Sequence, residues 1–322
     1  MSNISEDFGE VISVNISTDK GTSKEPVEEI HITFEGVRGD AHAGPGNRQV
    51  SVLGEESIQR FITTTGRPTS PGEFAENITV RALFSHPGKE VQRQIRLLDR
   101  LRVGDVELEV AQIGKECHGD ACAIYREVGQ CVMPKEGIFC RVLQEGTVRP
   151  GSRVEHLPRT LNACILTLSD RAFRGDYPDR SGPRLAELLA QFCQAGGWAL
   201  HVVTRVLPDD ADALRAALRE ALDASAHVIF TTGGTGVGPR DTTPDVAAQV
   251  CDRLIPGIME HIRARFGAQN PNALLSRSIA GVAGSTLVYT LPGSVRAVEE
   301  YMGEIIKTLE HIIYTLHGVD TH

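Results

Sequence analysis

The residues from Thr231 onward are of types that could hold a phosphate group. They read Thr231-Thr232-Gly233-Gly234-Thr235-Gly236-Val237-Gly238-Pro239-Arg240-Asp241-Thr242-Thr243-Pro244-Asp245. Residues 226–230 before them are mostly apolar and predict a buried strand, while Pro244 predicts the first turn of a helix. Glycines at the end of a strand let backbone N–H groups approach an anion, and a helix N-terminus favours phosphate nearby. The alternative is a glycine-rich turn that only connects the strand to the helix.

Two well-known phosphate loops are excluded by spacing. Gly233 and Gly238 match the two glycines of a P-loop, but Pro239 stands where that loop needs lysine. Gly234 and Gly236 match the start of a dinucleotide fingerprint, but its third glycine is missing. The glycine loop therefore predicts phosphate binding of another kind.

Further polar segments follow predicted strands or turns along the second half of the chain. They are Ser169-Asp170-Arg171, then Gly175, Tyr177, Asp179, Ser181 and Gly182, then Pro208-Asp209-Asp210, Leu275-Ser276-Arg277 and Pro292-Gly293-Ser294. In this order, and together with the glycine loop, they resemble the Mog/MoaB-like molybdopterin adenylyltransferases over residues 160–318. Val295 departs from the pattern, because relatives often carry proline there.

The resemblance implies specific roles for these residues. Asp209 and Asp241 would organise Mg²⁺ and ATP and are the expected catalytic and metal positions. Contacts to molybdopterin or nucleotide are expected from Ser169, Asp170, Arg171, Thr232, Gly233, Gly234, Thr235, Gly236, Asp245, Ser276, Arg277, Pro292 and Gly293. The implied reaction is attack of the molybdopterin phosphate on the α-phosphorus of ATP, with release of pyrophosphate. A carrier that holds molybdopterin without turnover is the alternative function.

The reaction gives the aspartates a chemical reason as well. It brings several negative charges together, so positioning and a divalent cation should do most of the catalytic work, and Mg²⁺ prefers oxygen ligands. Asp209 has an alternative role as the N-cap of a helix over residues 211–225. Arg171 and Arg240 could neutralise charge, or they could be solvated surface residues.

The first half of the chain carries a second set of motifs. These are residues 36–44, with Asp40 and His42, then Arg48-Gln49-Val50-Ser51, residues 71–78 and residues 137–142. They resemble a MOSC domain over residues 9–155, which implies binding of the molybdenum cofactor or transfer of sulfur to it. Gly46-Asn47 departs from the aromatic and histidine that relatives often carry before Arg48.

A sulfur-transfer or molybdenum-binding role requires a thiolate. The resemblance points to Cys122, with Cys117 as a partner or substitute. Cys131, Cys140 and His118 lie in the same span and leave zinc open, although the spacing does not resemble paired CxxC motifs. Buried, inert thiols are the alternative for Cys131, Cys140, Cys164, Cys193 and Cys251. Asp40 and His42 could contact the ligand, or His42 could be a surface loop residue.

These residues need two different scaffolds to position them. A chain of 322 residues exceeds a typical domain, and Pro158 follows a predicted strand, so we expect a MOSC domain at 1–156 and an adenylyltransferase domain at 157–322. Short apolar runs in the first half predict a mostly-β, barrel-like domain. Strands at 161–168, 199–206, 226–232 and 285–290 alternate with amphipathic helices in the second half. They predict a three-layer α/β domain with a largely parallel sheet.

Composition limits the possible binding partners and the cellular location of the protein. The net charge of −9 argues against nonspecific nucleic-acid binding, and no apolar run is long enough to span a membrane. Seven cysteines, with a polar start of the chain, favour reduced thiols and a cytoplasmic location. The resemblance implies a homotrimer or larger assembly, and a molybdenum insertase and molybdoenzyme clients as partners. The last helix, over residues 295–316, could join such an interface or simply cover its own sheet.

Overall fold

The computed structural model describes residues 8–83, 94–115 and 131–319. Cys117, His118 and Cys122 lie outside these described residues. The chain forms two compact units, an N-terminal unit that runs to Arg159 and also takes Val319, and a C-terminal unit, Thr160–Gly318. No helix in the described ranges combines the length and apolar character needed to cross a bilayer.

The N-terminal unit is built around a closed barrel. Its elements are β1 (Phe8–Ile16), β2 (Glu25–Val27), β3 (Ile30–Thr33), β4 (Gly36–Val37), β5 (Val50–Gly54), α1 (Glu55–Thr65), β6 (Ile78–Arg81), β7 (Arg100–Val103), β8 (Val106–Ile113), α2 (Met133–Glu136), β9 (Ile138–Gln144), β10 (Gly146–Val148) and β11 (Arg153–Leu157). The strand order is β11-β7-β8-β9-β5-β6-β1, and β11 pairs with β1 to close the ring of seven strands. The predicted barrel is therefore confirmed.

Alternating side chains fill the barrel. In β7, Leu101 and Val103 are buried while Arg100 and Arg102 are exposed, as expected for strands whose successive side chains point to opposite faces. Buried apolar residues of β1, β5, β6, β8 and β9 join them in one cluster, whereas Leu53 and Phe139 belong to a second one. Strands β6 and β7, which we did not predict, are needed to close the ring, because each joins two strands that have no other link.

The C-terminal unit is an α/β domain with a six-stranded sheet. Its elements are β12 (Thr160–Leu168), α3 (Asp170–Phe173), α4 (Ser181–Gly196), β13 (Ala199–Leu207), α5 (Ala211–Asp223), β14 (Val228–Thr232), α6 (Thr243–Val250), β15 (Arg253–Leu254), α7 (Pro256–Gly267), a 3-10 helix (Pro271–Leu275), β16 (Ala280–Ala283), β17 (Thr286–Leu291) and α8 (Val295–Leu316).

The sheet is mixed, which corrects the prediction of a largely parallel one. The order is β13-β12-β14-β17-β16-β15. The first four strands run parallel, but β16 pairs antiparallel with β17, and β15 pairs antiparallel with β16. A short loop at Gly284, with positive φ, joins β16 directly to β17, so this edge is a hairpin rather than a crossover.

Helices cover both faces of the sheet. Cys164, Leu166 and Leu168 of β12 pack in one cluster with Leu214 of α5 and Val246 of α6. The alternate β12 residues are also buried, and α4, which contacts β12 and β13, packs against α8. The four parallel strands end at the same edge of this three-layer domain. The segments after Leu168, Leu207, Thr232 and Leu291, which carry most predicted site residues, therefore meet there.

Candidate functional site

The glycine loop has a shape that only glycine allows. Gly233 and Gly234 have φ angles of 100° and 62°, in the left-handed region that side chains disfavour. A Cβ at Gly233 would clash with the carbonyl oxygen of Leu168, and one at Gly234 would clash with the Thr243 hydroxyl. The glycine loop therefore packs directly against the end of β12 and the start of α6.

Asp241 closes this loop from within. Its Oδ2 accepts a hydrogen bond from the Gly238 N–H at 2.8 Å, and a Cβ at Gly236 would lie 2.8 Å from the same oxygen. Within the described residues this is the one hydrogen bond that the carboxylate makes, so Oδ1 remains available. The missing side chain at Gly236 gives the carboxylate the room it occupies.

Arg277 ties the same loop to a distant segment. Its Nε donates to the Gly236 carbonyl at 2.9 Å, its backbone N–H donates to the Thr235 carbonyl at 2.8 Å, and its Nη2 donates to the Asp241 carbonyl. The guanidinium also binds both carboxylate oxygens of Asp245, at 2.9 and 2.8 Å. These bonds hold the pKa of Asp245 below its usual value. We expected Arg277 and Asp245 to contact ligand; the structure shows them paired with each other and with the loop.

A second pair of carboxylates lies where β12 and β13 end. The Asp170 N–H donates to Asp209 Oδ2 at 3.2 Å, and the Asp209 N–H donates to Asp170 Oδ1 at 3.1 Å. Arg240, which is 78% exposed, contacts the other oxygen of Asp170 at 3.3 Å. The structure thus brings Asp170, Asp209 and Arg240 together at the predicted edge.

The N-cap of α5 is Asp210, not Asp209. Asp210 accepts hydrogen bonds from the backbone N–H groups of Asp212 and Ala213. The alternative role that we gave Asp209 is therefore wrong by one residue. The N-cap position of α6 is Thr242, whose side chain makes no capping bond.

Other predicted residues support the edge of the sheet. Ser169 caps α3 by accepting from the Ala172 N–H, and the Thr232 hydroxyl pairs with Ser181 at 2.8 Å. The guanidinium of Arg171 lies 5.3 Å from the centre of the Tyr177 ring. The Cβ position of Gly293 lies 3.3 Å from the Gly233 Cα, so the turn after β17 packs directly on the glycine loop.

A cavity of about 420 Å³ opens beside the loop. Seven predicted residues line it, namely Gly234, Thr235, Gly236, Asp241, Ser276, Pro292 and Gly293. Eight other predicted residues are not in its wall: Ser169, Asp170, Arg171, Asp209, Thr232, Gly233, Asp245 and Arg277. The predicted set therefore divides into a cavity wall and a group that supports or flanks it.

The rest of the wall was not predicted to contact ligand, although Leu275 and Ser294 belong to segments named above. It consists of Asn270, Asn272, Ala273, Leu275, Ser294, Arg296, Ala297, Glu300 and Tyr301. The buried Tyr301 donates to the Ser276 hydroxyl at 2.9 Å, and Ser276 pairs with Ser278 at 2.9 Å. Spacing could have found part of this set, because Ala297, Glu300 and Tyr301 share one face of the helix that follows Pro292-Gly293.

Among the described residues, no group of three or more His, Cys, Asp or Glu side chains is arranged to hold a metal ion. Asp209 contacts Asp170, whereas Asp241 contacts its own loop. The two expected metal positions therefore offer separate carboxylate oxygens rather than a closed protein site.

In the N-terminal unit, Asp40 is the centre of a buried network. Its Oδ2 accepts from the Lys24 ammonium, from the Ser17 N–H at 3.1 Å and from the Asn77 amide at 3.1 Å. Its Oδ1 accepts from the His42 N–H at 3.0 Å. Burial opposes ionisation of Asp40, but the bonds from His42 and Lys24 outweigh it and keep the pKa of the carboxyl well below its usual range. Asp40 thus serves the fold, while His42 is 40% exposed beside it.

The described cysteines fit the inert alternative to different degrees. Cys140 is fully buried in the barrel, and burial raises the pKa of its thiol far above the usual value. Burial also raises the pKa of Cys164, and that of Cys251 to about 11. Cys193 is buried and Cys131 is half-buried. Cys122 and Cys117, the expected reactive thiols, lie outside the described residues.

Both halves match known families. Residues 164–311 match the model described as "Probable molybdopterin binding domain", and residues 38–155 match the MOSC domain. The chain is 37% identical over 141 residues to the molybdopterin adenylyltransferase of Haemophilus influenzae, covering 44% of this chain and 70% of that protein. It is 35% identical over 154 residues to the molybdenum cofactor synthesis protein cinnamon of Drosophila melanogaster, covering 47% of this chain and only 25% of that longer protein.

Solved structures match the same half. The chain aligns with a structure of MogA at 38% identity and a TM-score of 0.44, covering 48% of this chain and 98% of the other.

Proposed function

Because this chain belongs to the molybdopterin adenylyltransferase family and carries a MOSC domain in front of that region, we propose that its C-terminal unit adenylylates molybdopterin with ATP and Mg²⁺. A phosphate oxygen of molybdopterin would form a bond to the α-phosphorus of ATP, and the bond from that phosphorus to the bridging oxygen of pyrophosphate would break. The product would be the adenylylated pterin.

The observation that carries this proposal is the glycine loop beside the cavity. Gly234, Thr235 and Gly236 line a space of about 420 Å³, which suits a small ligand. Their backbone, free of side chains at Gly234 and Gly236, can approach phosphate oxygens closely. The Ser276 hydroxyl, fixed by Tyr301, and the Asn270 and Asn272 amides offer hydrogen bonds further along the wall. We propose that phosphate binds at the loop and the pterin along this wall.

Positioning is the main contribution that the chain can make to such a transfer, since little covalent chemistry falls to the protein. Arg277 and Asp241 would keep the loop in one shape. Arg240, on Asp170, would place positive charge near the phosphates. Arg171 and the hydroxyls of Thr232 and Thr235 would act at the same edge.

The carboxylates fit a magnesium ion that is shared with substrate. Mg²⁺ usually binds through one or two carboxylates plus substrate phosphates and retains several waters. Asp209 and Asp241 each commit one oxygen to a backbone N–H group and leave the other available within the described residues. When bound, the ion would neutralise phosphate charge. Asp209 and Asp241 are thus proposed to hold it together with the nucleotide.

The test is molybdopterin-dependent release of pyrophosphate by the whole chain. We expect Asp241→Asn to abolish release but to keep molybdopterin binding, because the loop backbone and cavity wall remain. Asp212→Asn is the matched control, since that side chain is 90% exposed and lies outside the site. No release by the wild type, with molybdopterin still bound, would instead support a carrier.

For the N-terminal unit we propose binding of the molybdenum cofactor or transfer of sulfur to it, with Cys122 as the reactive thiol. The match to the MOSC domain supports this. Mass spectrometry after exposure to a sulfur donor should find a persulfide on Cys122 that Cys122→Ala lacks. Cofactor binding without any persulfide would favour a binding role alone.

The wider setting is also proposed. Domains at 1–156 and 157–322 would work in the cytoplasm as a homotrimer or larger assembly, and a molybdenum insertase and molybdoenzymes would receive the product. Sedimentation of the purified chain tests the assembly, and a monomer would contradict it.

A further inference from the structure

Two cations of the N-terminal unit approach one aromatic ring. The Arg48 guanidinium lies 5.6 Å from the centre of the Phe139 ring, and the Lys115 ammonium lies 5.9 Å from it. Arg48 comes just before β5, Phe139 lies in β9 and Lys115 follows β8. Because β8, β9 and β5 are neighbours in the barrel, the closed sheet brings these three residues together.

The positions of these side chains are defined. Phe139 is buried in a cluster with Leu53, Ile58 and Met133, so the ring is a fixed support. Gln112 accepts a hydrogen bond from Arg48 Nε at 2.7 Å, and its own amide donates to the Gly114 carbonyl at 2.8 Å. The guanidinium therefore keeps its terminal nitrogens available while Nε is held.

Neither cation is neutralised by the described part of the chain. Arg48 and Lys115 form no ion pair there, although carboxylates are plentiful in a protein of net charge −9. Nearby Arg141, by contrast, is paired with Glu109. Two like charges beside one ring repel each other, and an anion between them would offset that repulsion.

A third positive charge is close enough to matter. Lys24 is buried and paired with Asp40. Burial lowers the pKa of Lys24, and the positive charge of Lys115 acts in the same direction. An anion beside Lys115 would relieve this repulsion as well.

We propose that Arg48 and Lys115 form an anion site of the N-terminal unit that takes a phosphate group. Arginine matches phosphate oxygens with its planar fork, while lysine supplies a compact charge. The site is separate from the glycine loop and does not depend on adenylyl transfer. Its ligand is either free phosphate or the phosphate monoester of a larger molecule.

The test uses the whole chain with a fluorinated phenylalanine placed at position 139, so that the ¹⁹F signal reports only on this ring. The probes are inorganic phosphate, neopterin monophosphate and neopterin without phosphate. We expect a saturable shift with the two phosphates and none with neopterin. The probe that binds more tightly shows whether the ligand is free phosphate or a phosphate monoester.

Variants then assign the shift to the two cations. Arg48→Gln and Lys115→Gln should each weaken binding about tenfold, because each removes charged hydrogen bonds to the ligand. Lys115→Arg should retain most of it. Arg149→Gln and Lys20→Gln are the matched controls, and pyrophosphate release should be unchanged in all of these variants. The proposal is overturned if neither phosphate gives a saturable shift, if neopterin gives the same shift, or if the double variant Arg48→Gln/Lys115→Gln still binds.

Discussion

Asp40 and Asp241 are both held by their surroundings, but they are held to different degrees. The side chain of Asp40 is 1% exposed, and both of its oxygens are occupied by partners that include the Lys24 ammonium. Asp241 lies in a cavity wall with one oxygen bound to its own loop. A fully satisfied buried carboxylate stabilises a fold, whereas a half-satisfied one beside a cavity is available to a ligand. Substitutions should therefore separate stability from activity.

Asp40→Ala should have the largest effect, which is a loss of stability in the N-terminal unit. It leaves the Lys24 ammonium buried without its partner, which costs about 3–5 kcal/mol. Native-state hydrogen exchange of the β1 and β6 amides measures this in the N-terminal unit. Asp105→Ala, at an exposed turn between β7 and β8, is the control. Protection equal to the wild type would show that Asp40 is not the centre of that network.

Gly236→Ala should have the opposite effect, lowering activity while leaving stability almost unchanged. The new Cβ would lie 2.8 Å from Asp241 Oδ2, so the carboxylate must move. Misplacement on this scale lowers the rate of a positioned transfer by on the order of 100-fold, while the melting temperature should change little because a short side chain can swing away. Gly257→Ala, in α7, is matched because a Cβ there meets nothing within 4 Å. Full activity in Gly236→Ala would show that the reaction does not depend on the position of the Asp241 carboxylate.

Arg277→Lys tests the support of the loop. Lysine cannot reproduce the bonds to Gly236, Asp241 and both oxygens of Asp245, so the loop should lose its fixed shape. We expect kcat to fall about tenfold, with a smaller change in molybdopterin affinity. Arg215→Lys, which loses a surface pair with Asp212 and a long hydrogen bond to Gln249, should match the wild type. An affinity loss without a kcat change would mean that Arg277 binds ligand directly.

The smallest effect is a pH dependence of the Asp40 network. The folded-state pKa of Asp40 is below its ordinary value of 3.8, so its contribution to stability is fully present above that pH. It is lost as the pH falls from there toward the folded-state pKa. The stability difference between wild type and Asp40→Asn should therefore be constant at neutral pH and shrink below about pH 4. A difference that grows on acidification would contradict the assignment.

Much of the fold follows from sequence pattern, because long apolar runs determine long strands. The four parallel strands and α8 were predicted close to their final bounds. The hairpin edge was missed, since Ala280–Ala283 reads AGVA and has only one β-branched residue, and β15 has only two residues. Its strand pairing comes from tertiary contacts that a local pattern cannot show.

The site was predictable as a set of segments but not as a geometry. The sequence places Asp209 beside Asp210, and nothing in residue type distinguishes them; the start of α5 decides which one caps. Arg277 was predicted from its motif to contact ligand, and that contact stays a prediction; its bonds to the glycine loop and to Asp245 could not be predicted, because they depend on where the segment before β16 packs. Tyr301 and Glu300 were overlooked, since they lie on a helix that the pattern assigned to covering its own sheet or to a subunit interface.

The conformation of the glycine loop is determined by contacts with other parts of the chain. Leu168 and Arg277 confine it from two separate segments, and Thr243 confines it from the start of α6. The same residues grafted onto another scaffold would therefore not keep this conformation, because they would lack the neighbours that enforce it. A glycine-rich match in another protein should indicate this kind of site only when an arginine equivalent to Arg277 accompanies it.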